Sequence, residues 1–330
     1  MNNGLSTEER ALIRGERIAE DDLQSLQGWY PVVVGNDGLW WRFFGEKRFS
    51  EPFFHNTVFS INRQNCLCLR TDFDMPNKFD DAIAPAAFIF HISRCGSTLL
   101  TQLLASLPEC IVMSEPPAID SLLRRYHAGM DRDDAEKLLR KIVSALGQKR
   151  YAEERHLFVK LDSWHIASLP LFRRAFPDTP FLFLYREPDK VLSSHRRQRG
   201  RQMVPGLVEA AMPRLDFAPT APGDLDGYCA NMLAHFFDSA CRHADELIFI
   251  NYSQLPHLVW DGLLEYFAVS PSPAMLETMK SRSAIHSKNG GVFSGDPQGV
   301  KAADSLCTFL QPRYEQLERL RLKQSPFRPS

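Results

Sequence analysis

Five short apolar runs, AAFIFHIS, ECIVMSE, HLFVKLD, PFLFLYRE and ELIFINYS, recur between residues 86 and 253 and constrain the fold more than any other feature. Each has the length of a strand and is apolar almost throughout, as a strand buried on both faces must be. Stretches with helical periodicity separate them: STLLTQLLASL, DRDDAEKLLRKIVSALG, WHIASLPLFRRAF, PDKVLSSHRRQRG and GYCANMLAHFFDSACRHAD. Strands alternating with helices predict an α/β fold, a parallel five-stranded sheet flanked by helices and joined by right-handed crossovers. Ligands of such sheets bind at the carboxyl ends of the strands.

The chain of 330 residues is 44% hydrophobic and 24% charged, with a formal net charge of −1. A balance this even argues against nucleic acid or a membrane surface as a general partner, since both select a strong basic excess. The start, MNNGLSTEERALIRGERIAEDD, lacks the basic end and apolar run of a secretory signal. No window reaches the roughly eighteen apolar residues of a membrane span. The seven cysteines are scattered, and Cys66 with Cys68 has no second pair at metal spacing. Reduced thiols, a cytoplasmic location and no metal are expected.

Residues 1–84 differ in texture. WYPVVVGNDGLWWRFF sets two β-rich runs around Gly-Asn-Asp-Gly, a hairpin signal, and FSEPFFHNTVFSINRQNCLCLR continues with alternating apolar residues. A small β-rich N-terminal unit is expected, followed by a second unit over 85–330. Trp40 and Trp41 would face opposite sides of their strand, one packing inward and the other free to cover a cleft.

The stretch FIFHISRCGSTLLTQLLASL, residues 88–107, joins a strand to a helix through a glycine-containing turn, with Pro108 closing the helix. Backbone N–H groups at the helix start and the helix dipole make that turn an anion cradle. Gly96 permits close approach to the backbone, and Ser97 and Thr98 add hydroxyl donors. The lysine of nucleotide hydrolases is replaced by Ser97, and their first glycine by His91. The strong cation of the turn is Arg94, suited to fork onto a phosphate or sulfonate. A simple helix cap beside an exposed arginine fits the same residues. His91, inside a strand, is expected to be a packed core residue.

A second basic site follows in FLFLYREPDKVLSSHRRQRG. Arg186 stands at a strand's carboxyl end, Pro188 opens a helix, and Ser194 follows two turns in. Arg186 and Ser194 would hold a second anionic group; the alternative pairs Arg186 with Glu187 or Asp189. Two anion sites on successive strand ends suit a nucleotide phosphorylated at two separate positions.

At this point the chain resembles the sulfotransferases that use 3′-phosphoadenosine 5′-phosphosulfate (PAPS). Their phosphosulfate loop, basic-x-G-[ST]-[ST], is matched by Arg94-Cys95-Gly96-Ser97-Thr98, and their 3′-phosphate site by Arg186 and Ser194. Arginine in the loop is closer to the bacterial and Golgi carbohydrate and tyrosyl-protein branch than to cytosolic members, which use lysine. In LPECIVMSEPPAID the resemblance places the family's general base at Glu115, where a carboxylate capping the Pro116-Pro117 turn is the alternative. It also implies Tyr252 near the adenine, and Lys288 in Ser287–Gly291 closing over the donor, where a solvated surface lysine is the alternative. The cytosolic members' K-T-H-L-P segment is absent, replaced by Lys160-Leu161-Asp162-Ser163-Trp164-His165.

The resemblance implies in-line sulfuryl transfer from PAPS, without metal, to a hydroxyl or amine of a small-molecule or carbohydrate acceptor. Glu115 would take the proton and Arg94 would stabilise the leaving group. Two other classes are open: an ATP- or GTP-dependent phosphotransferase on a P-loop fold, and a non-catalytic nucleotide-binding relative. The proline-rich segment VPGLVEAAMPRLDFAPTAPGDLDG is the expected lid over the acceptor.

Overall fold

A computed structural model describes residues 5–20, 25–62, 65–73, 79, 82–213, 220–283 and 304–324. All five apolar runs are strands: β5 (Pro85–His91), β6 (Cys110–Ser114), β7 (His156–Lys160), β8 (Phe181–Tyr185) and β9 (Ile248–Asn251). They form one all-parallel sheet in the order β6-β7-β5-β8-β9. Helices cover it, so its strands are buried on both faces, and Phe88, Ile89 and Phe90 of β5 have no exposure. Phe88 and Phe90 pack edge-on against Phe172 at 5.4 and 5.6 Å, locking the central strand to the helix Leu169–Ala175.

The chain passes from β7 to β8 across the central β5, so the order reverses there. That reversal opens a crevice at the carboxyl end of β5, where the glycine turn lies. The helix after the turn is Ser97–Leu104 and ends four residues before Pro108. Its exit tightens through Ser106 N donating to Leu103 O and Leu107 N to Leu104 O, so the turn ends the helix before proline is reached.

The N-terminal strands β1 (Glu16–Ile18), β2 (Trp29–Val34), β3 (Leu39–Phe43) and β4 (Leu67–Thr71) form a separate mixed sheet in the order β1-β4-β3-β2. The expected hairpin joins β2 to β3, with Gly35 N donating to Gly38 O. Residues 54–60, expected to continue the strand pattern, are a helix. Phe54, Thr57 and Val58 are its buried residues, and their spacing of three and one is helical. Trp40 and Trp41 are both buried, so neither covers a cleft. Trp41 Nε1 donates to Thr71 Oγ1 at 2.9 Å, and Arg17 lies 5.1 Å from the Trp40 ring.

This sheet is seated on the larger one's helices. Val34 N donates to Ser121 Oγ at 2.8 Å in the helix Pro117–His127, and Gly28 N to Gln148 Oε1 at 2.9 Å beyond the helix Arg132–Leu146. Both sheets contribute to one continuous hydrophobic core. Among the described residues no helix is long and apolar enough to cross a membrane.

Candidate active site

The loop after β5 is shaped by residues in the left-handed region: Ser93 at φ 71°, Arg94 at 53° and Gly96 at 83°. Successive residues of this kind turn backbone N–H groups toward one concavity. Ser97 and Thr98 begin the helix with their N–H groups in the first turn, where no intrahelical acceptor exists. Cys95 is buried beneath the loop, and burial pushes its thiol up to about 11, so it is inert packing.

Gly96 is required for two reasons. Its φ disfavours any side chain, and a Cβ would lie 2.7 Å from Tyr252 Cδ2. The close approach that glycine permits here is therefore the approach of Tyr252, just after β9. The other neighbour of that ring is Arg186, whose Cζ lies 3.9 Å from the centroid. Tyr252 thus joins the loop to the arginine at the end of β8. Arg186 is buried, with Glu187 at 3.7 Å. Ser194 is half-buried in the helix Pro188–Arg197. Arg94 Nη2 donates to Gln198 O at 2.7 Å, at the end of that helix, so loop and helix are joined there too. Burial and the neighbouring Arg197 lower the proton affinity of Arg94, which marks a locally cationic corner. Lys288 lies outside the described residues.

Glu115 follows β6 with φ 57°, a conformation that costs a non-glycine residue about 1–3 kcal/mol. Its N–H donates to Lys160 O at 2.7 Å, extending the β6–β7 register by one residue. Its Oε1 lies 3.0 Å from Lys160 Nζ and 3.7 Å from His91 Nε2. Ser93 N donates to His91 Nδ1 at 2.9 Å, so a neutral His91 carries its proton on Nε2, toward Glu115. Burial alone would raise the Glu115 carboxyl, but Lys160 and His91 outweigh it and hold it well below the usual carboxylate range. His91 is buried, as expected of a strand residue, and its proton affinity is lowered chiefly by burial.

Lys160 was legible in the sequence only as an interruption of an apolar run. Its side chain has no exposure, with the Phe53 ring 4.4 Å from Nζ and Glu115 as its counter-charge. A lysine at the last position of a buried strand was the available signal, but its partner depends on β6 and β7 being neighbours in register.

A further group lies beside this pair. Asp120, Asp162 and His165 bring their ligand-capable atoms within 4.8 Å of one another, a cluster that linear spacing did not reveal. Asp120 accepts from Trp164 Nε1 at 2.7 Å and from Arg124 Nε at 2.8 Å, with His165 Nε2 at 3.1 Å. Desolvation, then repulsion from Glu115 and Asp120, raise the Asp162 carboxyl well above its ordinary range.

A cavity of about 490 Å³ lies at the amino ends of β8 and β9, against Phe181 and Ile248, remote from this chemistry. In the segment expected as a lid, residues 214–219 lie outside the described residues. The part before them is anchored by Glu209, which accepts from Tyr228 Oη at 2.6 Å and from Gly206 N at 2.8 Å.

The model of the sulfotransferase family matches residues 85–208. The matched stretch runs from β5 through the helix Pro188–Arg197 and contains Arg94, Glu115, Lys160, Arg186 and Ser194, whereas Tyr252 lies beyond it. Three bacterial sulfotransferase structures are similar. That of STF1 from Mycobacterium tuberculosis is 14% identical over 61% of this chain and 72% of its own, with a TM-score of 0.39. One from Alicyclobacillus acidocaldarius is 15% identical over 73% and 97%, with a TM-score of 0.39. STF9 from Mycobacterium avium is 12% identical over 73% and 79%, with a TM-score of 0.46. No curated protein matches the chain.

Proposed function

We propose that the protein is a PAPS-dependent sulfotransferase acting on a hydroxyl or amine of a small-molecule or carbohydrate acceptor. The observation that supports this reading is the Tyr252 ring, which lies close to both Gly96 and Arg186 and so brings the loop and the strand-end arginine to one crevice. A donor with phosphate at the 3′ and 5′ positions needs both; a simple triphosphate needs one. The loop N–H groups, Ser97, Thr98 and Arg94 would bind the 5′ end, and Arg186 with Ser194 the 3′-phosphate. Lys288 is proposed as the closing residue.

When bound, the donor supplies an activated sulfuryl group. Glu115 receives the proton of the acceptor as the new S–O or S–N bond forms and the bridging P–O–S link breaks on its sulfur side, releasing adenosine 3′,5′-bisphosphate. A carboxylate held this acidic takes the proton only once bond formation has made the acceptor acidic, so proton transfer is late. Lys160 keeps Glu115 ionised and fixed. Arg94 neutralises charge on the leaving oxygen after exchanging Gln198 for the donor. Residues 1–84 form a unit of their own that walls the acceptor side through Phe53, beside residues 85–330 as the catalytic unit. With seven cysteines and no disulfide between them the chain suits the cytoplasm.

The test is thermal stability with adenosine 3′,5′-bisphosphate, with ATP, GTP and adenosine 5′-monophosphate as controls. A bisphosphate-specific rise in Tm, lost in Arg186→Ala, supports the reading; a rise only with ATP or GTP and magnesium refutes it.

A further inference from the structure

Charge pairing around Glu115 leaves one group over. Glu115 is matched by Lys160 at 3.0 Å, and Asp120 by Arg124 at 2.8 Å. Arg201, whose charge acts on Asp162, is matched by Glu8 at 2.8 Å. Among the described residues Asp162 has no such partner: its close polar neighbour there is His165 Nε2 at 3.7 Å, which lies nearer to Asp120 at 3.1 Å. A proton on Nε2 donated to Asp120 leaves none for Asp162.

The Asp162 carboxyl lies close to the reacting centre. Asp162 is extended, at φ −68° and ψ 151°, and Leu161 before it is fully buried. The charges of Glu115 and Asp120 both act on it, and Lys160, two residues before it, contacts Glu115. The Asp162 side chain keeps 14% exposure, enough for a ligand to reach it.

We propose that Asp162 receives the ammonium group of an acceptor whose reacting hydroxyl faces Glu115, so that the acceptor is an amino alcohol or amino sugar. This rests on the sulfotransferase reading and narrows it. An ammonium supplies the one positive charge that the surrounding Glu115, Lys160, Asp120, Arg124, His165, Arg201 and Glu8 do not. Burial and repulsion raise the Asp162 carboxyl, and an ammonium beside it favours the ionised form.

The test is calorimetric titration of the whole chain with trans-2-aminocyclohexanol and with cyclohexanol near pH 7. It is run with and without adenosine 3′,5′-bisphosphate, in two buffers of different ionisation enthalpy. The expected result is at least tenfold tighter binding of the amino alcohol, the preference being lost in Asp162→Asn and in Asp162→Ser. Equal binding of the two compounds, including none, overturns the proposal, as does a preference that survives in both variants. An Asp162-dependent heat from magnesium, manganese or zinc chloride alone would also overturn it, by assigning the three-residue group to a metal. Failure of the bisphosphate to raise Tm would instead remove the donor reading, while the titrations without it still judge Asp162.

Discussion

Lys160 Nζ lies 3.0 Å from Glu115 Oε1, and the lysine side chain has no solvent exposure. Removing one member of such a pair strands the other charge, a loss of about 3–5 kcal/mol, whereas removing both is far less costly. Lys160→Met is therefore expected to lower stability by that amount, and Lys160→Met with Glu115→Gln to recover most of it without recovering turnover. Urea unfolding of the three variants, with donor-saturated rates, checks this. Full stability in Lys160→Met alone would contradict the pairing.

Glu115→Gln is expected to cut turnover about 100-fold or more while leaving the bisphosphate-induced Tm shift nearly intact, because general-base loss acts on the chemical step. Arg186→Ala should do the reverse and weaken donor binding first. Unchanged turnover in Glu115→Gln would move the base assignment elsewhere.

The two carboxyls have opposite pH signatures. Glu115 is held below its unfolded value, so it contributes stability above the unfolded pKa of about 4.3 that is lost as pH falls toward the folded one. Asp162 is raised, so the folded state binds the extra proton and its contribution declines as pH rises from about 4 through the folded value. Asp162→Asn is thus expected to be more stable than the parent at pH 7.5 and equal to it near pH 4. Unfolding curves across that range check it; the same difference at every pH would refute the Asp162 assignment.

Gly96→Ala meets both a φ of 83° and the Tyr252 ring, with a Cβ 2.7 Å from Cδ2. A loss of about 1–3 kcal/mol is expected, with loss of the bisphosphate Tm shift as Tyr252 is displaced. Tyr252→Ala removes the ring beside Arg186, a contact worth about 0.5–2 kcal/mol, and should weaken bisphosphate binding several-fold with little effect on folding. Unaltered binding in both would mean that the ring does not order the crevice.

Phe53 tests the N-terminal wall. Its ring lies 4.4 Å from Lys160 Nζ and stacks on exposed His55 at 5.3 Å. Phe53→Ala is expected to lower turnover several-fold with the bisphosphate shift retained, since the ring lies against Lys160, the partner of the proposed base. An unchanged rate would confine residues 1–84 to a structural role.

What the sequence determined by itself was whatever is local or periodic. The five strands were legible because burial on both faces demands uninterrupted apolar runs, and the β2–β3 hairpin because its turn needs glycine. The glycine turn after β5 and the place of Arg186 at the end of β8 were legible because each is read from neighbours along one strand end. Residues 54–60 were misjudged because a seven-residue helix shows too little periodicity to separate it from alternation. The pairing of Lys160 with Glu115, the placing of His91 beside them and the use of Tyr252 to fill the space over Gly96 were decided only by the tertiary structure. Each depends on which strands lie side by side, and sheet order is set by how helices pack across the whole sheet, which no short stretch of chain encodes. The same holds for Asp162: that it has no counter-charge among the described residues became visible only once Arg124, Lys160 and Arg201 were seen paired with Asp120, Glu115 and Glu8.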